Sequence, residues 1–221
     1  MIMAPGRSDD RHARPRSRRA VWRITVGTAG LAAAVAMTAA YAPGAGLALL
    51  PVGTFEIVPG ESSAMFFVPD NRGGFTGHTD RVTGRVTVEV RPDGETYTAR
   101  ITASIDARSL TTDVGIRDNA MRAGYLHTAE FPAITYKGTA AATPGLGVRP
   151  FPAAVRGQLT IRNVTRDETF TATVVALARE FIADASTTLR MADYGIPYPR
   201  AFIFVARDPV TVKLHIRARQ P

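Results

Sequence analysis

From Thr54 onward, apolar and polar residues alternate with a period close to two. In "RVTGRVTVEV", Val82, Val86, Val88 and Val90 fall on one face and Thr83, Arg85, Thr87 and Glu89 on the other. "YTARITASI" repeats the scheme, with Tyr97, Ala99, Ile101, Ala103 and Ile105 opposed by Thr98, Arg100, Thr102 and Ser104. "FTATVVALA" sets Phe170, Ala172, Val174, Ala176 and Ala178 together, and "VTVKLHIR" sets Val210, Val212, Leu214 and Ile216 against Thr211, Lys213, His215 and Arg217. Strands with one dry and one wet side belong to antiparallel sheet, because buried parallel strands are apolar on both faces. Turn signals separate the runs at "RPDGE" (Arg91–Glu95), "TPGLG" (Thr143–Gly147) and "RNVTRDE" (Arg162–Glu168). The pattern predicts an all-β body of about eight strands, and a sheet of that size hides its edges by closing or by stacking as a sandwich.

One stretch breaks the alternation. "DVGIRDNAMRAGYLHTAEFPAITY" (Asp113–Tyr136) is polar, then helical in pattern, then aromatic, and returns to strand after Pro132. Asp113 is placed to cap a short helix over Val114–Arg122, with Arg117 and Asp118 pairing with surface partners. Many inward positions of the strands are small: Gly84, Ala99, Ala103, Gly138, Ala172 and Ala176. Inside an eight-stranded closure such residues leave room for a ligand. They also suit a tight core shaped to a neighbouring helix.

Charge changes the picture mainly by its location. The net charge is +8, but residues 1–50 hold seven Arg and only Asp9 and Asp10, which leaves the remainder close to balance. Nucleic acid is therefore not an expected partner, since such proteins carry a basic face on the folded domain. The first twenty residues read as a basic cytoplasmic tail. Residues 21–50 read as a transmembrane signal anchor or a signal peptide. The uncharged nineteen residues Ile24–Ala42 would span about 28 Å as a helix, against roughly 30 Å of hydrocarbon. Trp22 is placed like an interfacial anchor. "AYA" (Ala40–Ala42) has the small residues of a cleavage site, although Pro43 follows it directly, and "SRRAVWR" (Ser17–Arg23) resembles a twin-arginine export signal. Each of these readings puts residues 51–221 outside the cytoplasm, anchored or secreted.

Candidate chemistry is sparse. The chain has no cysteine, which removes disulfides, thiolate catalysis and Cys-rich zinc sites. His12, His78, His127 and His215 are scattered; His78 and His127 read as loop residues and His215 as the wet face of the last strand, with no metal-ligand spacing. No nucleophile elbow, P-loop or dinucleotide fingerprint occurs. Asp106, Asp113 and Asp118 are close in sequence and could do acid–base work, but capping and ion pairing account for them. "RMADYG" (Arg190–Gly195) reads as a strand end plus turn. The expectation is a non-enzymatic protein without metal or cofactor.

Four stretches then point to a family. The Asp113–Tyr136 segment supplies Arg117-Asp118, Met121, Tyr125-Leu126 and "FPAITY" (Phe131–Tyr136). "GQLTIRNVTR" (Gly157–Arg166) follows, with Asn163 where glycine is usual, then "RMADYGI" with Asp193, Gly195 and Ile196. The opening strand pair "FEIVPGESSAMFFV" (Phe55–Val68), with Glu61-Ser62, and "VTGRV" (Val82–Val86) complete the set. In this order they resemble the YceI-like family, polyisoprenoid-binding or lipid-binding YceI-like domains, over about residues 54 to 219.

The resemblance implies a lipocalin-like, extended eight-stranded antiparallel β-barrel with one short helix and an elongated apolar cavity, preceded here by the N-terminal hydrophobic helix. It implies binding or carriage of a long-chain isoprenoid or similar amphiphilic lipid. Cavity candidates from the strands are Phe66, Val82, Gly84, Val86, Val88, Ile101, Ala103, Ile134, Tyr136, Leu159, Phe170 and Val174. Met121, Tyr125, Leu126 and Phe131 either line the ligand channel or pin the helix to the sheet. Two rival readings are a membrane-tethered structural module with a closed core, and an enzyme acting on a bound lipid through Asp113, Arg117 or Asp118. The partners implied are the lipid and, through the N-terminal helix, the membrane; a homodimer stays open.

Overall fold

The computed structural model describes residues 50–144, 150–201 and 204–221. The predicted leader, and Gly145–Gly147 of the "TPGLG" turn, lie outside them. Among the described residues no helix is long and apolar enough to cross a membrane.

The period-two segments form strands: β1 Gly53–Ile57, β2 Ser63–Val68, β3 Phe75–Thr79, β4 Val82–Val90, β5 Tyr97–Asp106, β6 Ala133–Ala142, β7 Phe151–Ile161, β8 Val164–Leu177, β9 Glu180–Leu189 and β12 Val210–Arg219, with two-residue β10 Arg200–Ala201 and β11 Phe204–Val205. The main sheet runs β1-β4-β5-β6-β7-β8-β9-β12-β2-β3 with all pairs antiparallel, and β1 returns to pair with β12. This second pairing closes a barrel. β1 and β2 lie one after the other along β12, where Ile57 faces Ala218 and Ser63 faces His215. They are therefore two halves of one stave rather than the separate strand pair read in "FEIVPGESSAMFFV". Gly60 at φ +79 and Pro59, which has no N–H to offer a ladder, break the run between them. β3 and β4 form a second broken stave, so ten strands make an eight-staved barrel. Every stave finds both neighbours within residues 53–219, so the strand ladder of the barrel closes within that range.

The break between β1 and β2 is held at β12. Ser62, 1% exposed, donates to the Arg217 carbonyl and accepts from the Arg217 N–H. Around it Glu180 takes a two-pronged bond from Arg217 (2.9 and 3.0 Å) and a third from Arg219 (2.9 Å). Glu61 takes both terminal nitrogens of Arg219 at 2.8 Å. Three strands are thus stapled where the ladder is interrupted.

Short turns sit at both barrel ends. Between β4 and β5, Asp93 accepts from the Glu95 and Thr96 N–H groups, an Asx turn that reverses the chain. Between β7 and β8 only Arg162 and Asn163 are outside the ladder, since Ile161 pairs with Val164; the predicted turn through Glu168 is in fact mostly strand. The alternation also ends early in two places: Val90 is exposed at the end of β4 and Ala178 lies in the turn after β8. His78 is in β3 rather than a loop, bridging to Thr111.

The long connections, 107–132 and 190–209, lie together at one end, with the β2–β3 and β7–β8 turns. The first carries α1, Gly115–Ala120, which runs directly into a π-helical turn, Met121–Tyr125. The opposite end is packed with side chains. Phe55, wholly buried, meets Phe181 edge-to-face at 4.8 Å, with Ile57, Val88, Tyr97, Ala176 and Ala218 around them. Leu50 is drawn onto this group by its N–H bond to the Tyr97 hydroxyl.

Candidate functional site

The barrel interior is not filled. A cavity of about 730 Å³ runs inside it, within the usual 300–1,000 Å³ range of ligand sites. Its wall takes inward residues from all ten strands of the main sheet, from the loops of one end and from Leu50 at the other. Of the sequence candidates, Phe66, Val82, Val86, Val88, Ile101, Ala103, Ile134, Tyr136, Leu159, Phe170 and Val174 line it, as do Met121, Tyr125 and Leu126 from the odd segment.

Gly84 and Phe131 do not. Gly84, at φ +147, pairs with Ala103 so closely that a Cβ there would strike the backbone of Thr102 and Ala103. It serves a tight strand crossing, and any side chain at that position opposes the fold. Phe131 follows a turn in which the Glu130 and Phe131 N–H groups both bond to the His127 carbonyl. That turn redirects the chain before β6 and leaves the ring outside the cavity wall.

Small residues do not all mean free space. Ala99, Ala103 and Ala172 border the void, whereas Ala176 is buried in the packed end. Gly138 faces Gly157 across β6 and β7, and a Cβ on either would lie 2.7 Å from the Tyr136 hydroxyl. The glycine pair is a notch for the end of that side chain. The Tyr136 hydroxyl is buried there without a hydrogen-bond partner, and burial followed by the Glu168 charge pushes its pKa up. Its ring leans on Phe170 at 6.0 Å and forms part of the wall.

The family-like motifs turn out to be fastenings of the cavity's loop end. Asp118, only 6% exposed, accepts from the Thr111 hydroxyl (2.7 Å), the Thr112 N–H (2.7 Å) and the Thr112 hydroxyl (2.5 Å). Burial raises its pKa, but these bonds and the Arg122 charge outweigh burial and hold the carboxyl below its usual value. Arg117 donates to the Thr112 hydroxyl and carbonyl and stacks 4.5 Å over the Phe75 ring. Neither residue makes the predicted surface pair. Asp113 does not cap α1 either: Val114 holds the N-cap position without a side-chain bond, and Asp113 sits at φ +60.

The other two motifs grip each other. Arg162 donates to the Gly195 carbonyl (3.0 Å), Arg166 to the Asp193 carbonyl (2.9 Å), and the Tyr194 hydroxyl to Glu168 (2.8 Å). The strand alternation of "GQLTIRNVTRDET" thus aims its charged side at the Met191–Tyr194 turn, which Gly195 ends at φ +64. Glu168 is engaged this way and lies in the cavity wall.

The wall also includes residues absent from the sequence candidates. Leu214 and Ile216 belong to the dry face already read in "VTVKLHIR", so the signal was present. Ala183, Ala185 and Thr187 of β9 were masked by their smallness. Leu50, Ile116, Arg190, Ile196 and Arg200 come from non-strand segments or strand ends, where periodicity has nothing to say. Among the described residues no group of three or more His, Cys, Asp or Glu could hold a metal ion.

Fold and cavity together define a closed antiparallel barrel with an apolar internal pocket and a looped, arginine-bearing end. The chain belongs to the YceI-like domain family, whose model matches residues 55–218. The structure is similar to a polyisoprenoid binding domain from Saccharophagus degradans, at TM-score 0.61 and 17% identity, covering 77% of this chain and 100% of that one. It is also similar to BcnA of Burkholderia cenocepacia, at TM-score 0.58 and 16% identity, covering 73% of this chain and 98% of that one. At such identities the likeness is one of fold. No curated protein matches the chain.

Proposed function

We propose that this protein binds a long-chain isoprenoid or similar amphiphilic lipid in the barrel cavity, without transforming it, on the outer side of a membrane. The observation that carries the reading is the cavity of about 730 Å³ with an almost wholly apolar wall. Water held in such a space lacks polar partners, while an alkyl or prenyl chain gains contact on all sides. The name of the Saccharophagus degradans neighbour supports the choice of isoprenoid. A closed-core module fits poorly with a void of this size. An enzyme working through Asp113, Arg117 or Asp118 fits poorly too, because both oxygens of Asp118 and the Arg117 guanidinium are committed to Thr111, Thr112 and Phe75.

Carriage is thermodynamically feasible because the donor is a bilayer. Drawing a chain from water would gain about 0.8 kcal/mol per CH₂, soon exceeding the ~18–21 kcal/mol ceiling of noncovalent binding. A chain taken from a bilayer is already dry, so transfer is near neutral and both loading and release are permitted. A retained leader would keep the barrel near its reservoir. The test is mass spectrometry of organic extracts from the purified 50–221 fragment. A prenyl or other long-chain lipid is expected; repeatedly empty preparations that also refuse added prenyl lipid overturn the proposal.

A further inference from the structure

Three segments build the rim of the cavity's looped end: the β2–β3 turn, α1, and residues 196–200. They form a continuous lip. Arg117 of α1 stacks on Phe75, the Asn71 side chain accepts from the Val205 N–H, the Pro69 carbonyl accepts from the Arg207 N–H, and between these the Ala206 N–H donates to the Pro199 carbonyl. Asp70, Arg72, Arg117, Glu168, Arg190 and Arg200 are wall residues of this end, so arginines outnumber acids four to two where the cavity meets its loops. Ile116 belongs to the same wall and is nevertheless 87% exposed, with Val114 beside it 46% exposed. A scattered surface aliphatic needs no explanation. An aliphatic lip continuous with an apolar cavity and set among arginines does.

We propose that this rim docks on an anionic lipid bilayer, with Val114 and Ile116 entering the interface and the exposed Arg72, Arg190 and Arg200 facing lipid phosphates. The cavity then opens onto hydrocarbon and its contents pass without crossing water. The inference rests on the lipid-binding reading and adds where and on what surface exchange takes place. Two observations favour a bilayer over a protein partner. The exposed apolar groups of this end are Val114, Ile116, the Phe67 ring beside Gly74 and the edge of Tyr198, short of the ~800 Å² per partner of a stable protein interface. Its charged wall residues are net positive, four arginines against Asp70 and Glu168, which favours anionic lipid at the interface.

The 50–221 fragment closes its own barrel and can be tested alone. A fluorescent prenyl-chain probe is offered in two forms: in vesicles, either phosphatidylcholine alone or mixed equally with phosphatidylglycerol, and diluted from ethanol without vesicles. Wild type is expected to take the probe from anionic vesicles about tenfold faster than from neutral ones, with the preference fading in high salt. Val114→Asp suits the comparison, because Val114 is outside the cavity wall and occupies the N-cap of α1, where Asp is favourable. It should slow uptake from anionic vesicles about tenfold and leave uptake from ethanol dilution unchanged. Wild-type vesicle rates in Val114→Asp and in Ile116→Asp, or indifference to vesicle charge, overturn the docking proposal and leave the rim to a protein partner. No uptake of the probe in either form sinks the lipid-binding reading itself.

Discussion

Ala103 offers a direct test of whether the space inside the barrel is where a ligand goes. It lies in the middle of β5, opposite Gly84 and Tyr136 on its two neighbours, and borders the cavity. Ala103→Phe adds an aromatic ring, about six carbons, to the void. Each ligand carbon so displaced forgoes about 0.8 kcal/mol of burial, so the loss reaches ~5 kcal/mol if the chain cannot shift. A chain that slides past recovers most of this, and a weakening of at least about tenfold, ~1.4 kcal/mol, is the expected floor. The ring enters existing space, so the stability cost should remain within the ~1–3 kcal/mol of ordinary overpacking. Thr102→Phe, one residue away on the exposed face, is the control for hydrophobicity and strand propensity. Probe titration by fluorescence measures affinity, and urea unfolding measures stability. Equal affinities for wild type, Ala103→Phe and Thr102→Phe, with all three folded, would refute the assignment of the cavity as the binding space.

Two further outcomes bear on the fastenings. Asp118→Ala leaves the buried Thr112 N–H and hydroxyl without an acceptor and should lower unfolding stability by about 3–5 kcal/mol, given ~1.5–3 kcal/mol per hydrogen bond to a charged group; a urea midpoint close to wild type would show that the loop end is held otherwise. The Glu180 carboxyl is lowered from 4.5 to about 2 by its bonds from Arg217 and then Arg219. Its contribution is therefore complete above about 4.5 and lost as pH falls toward about 2. Glu180→Gln should flatten thermal stability against pH across that interval, and parallel profiles for the two proteins would count against the staple at the β1–β2 break.

The strands were legible because each has a wet side: Arg85, Thr87 and Glu89 against Val82, Val86 and Val88 need nothing from the rest of the fold to declare themselves. Local chemistry also located the turns at Asp93 and Gly195. What escaped depended on partners distant in sequence. Nothing in "VPGES" tells that Ser62 will be clasped by Arg217, so the segment read as a strand pair rather than as one broken stave. Asp113 resembles a cap and Asp118 a surface acid until Thr111 and Thr112 are seen folded over the latter. Gly84 and Gly138 carry the same letter as any cavity-widening residue, yet one accommodates a neighbouring backbone and the other a tyrosine ring. The looped end was least readable, because periodicity does not extend to Ile116, Arg190 or Arg200.

The way the chain enters and leaves the barrel also matters. Leu50 is bonded to Tyr97, and Gln220 to Arg179 and Val52, so the chain both enters the barrel at Leu50 and leaves it at Gln220 beside the Phe55–Phe181 plug. Strands of ten to fourteen residues, at roughly 3.3 Å each and tilted, put the arginine-bearing lip some ~30 Å further on. A handle grafted onto the 50–221 fragment at either of its ends for immobilisation would keep that lip unobstructed.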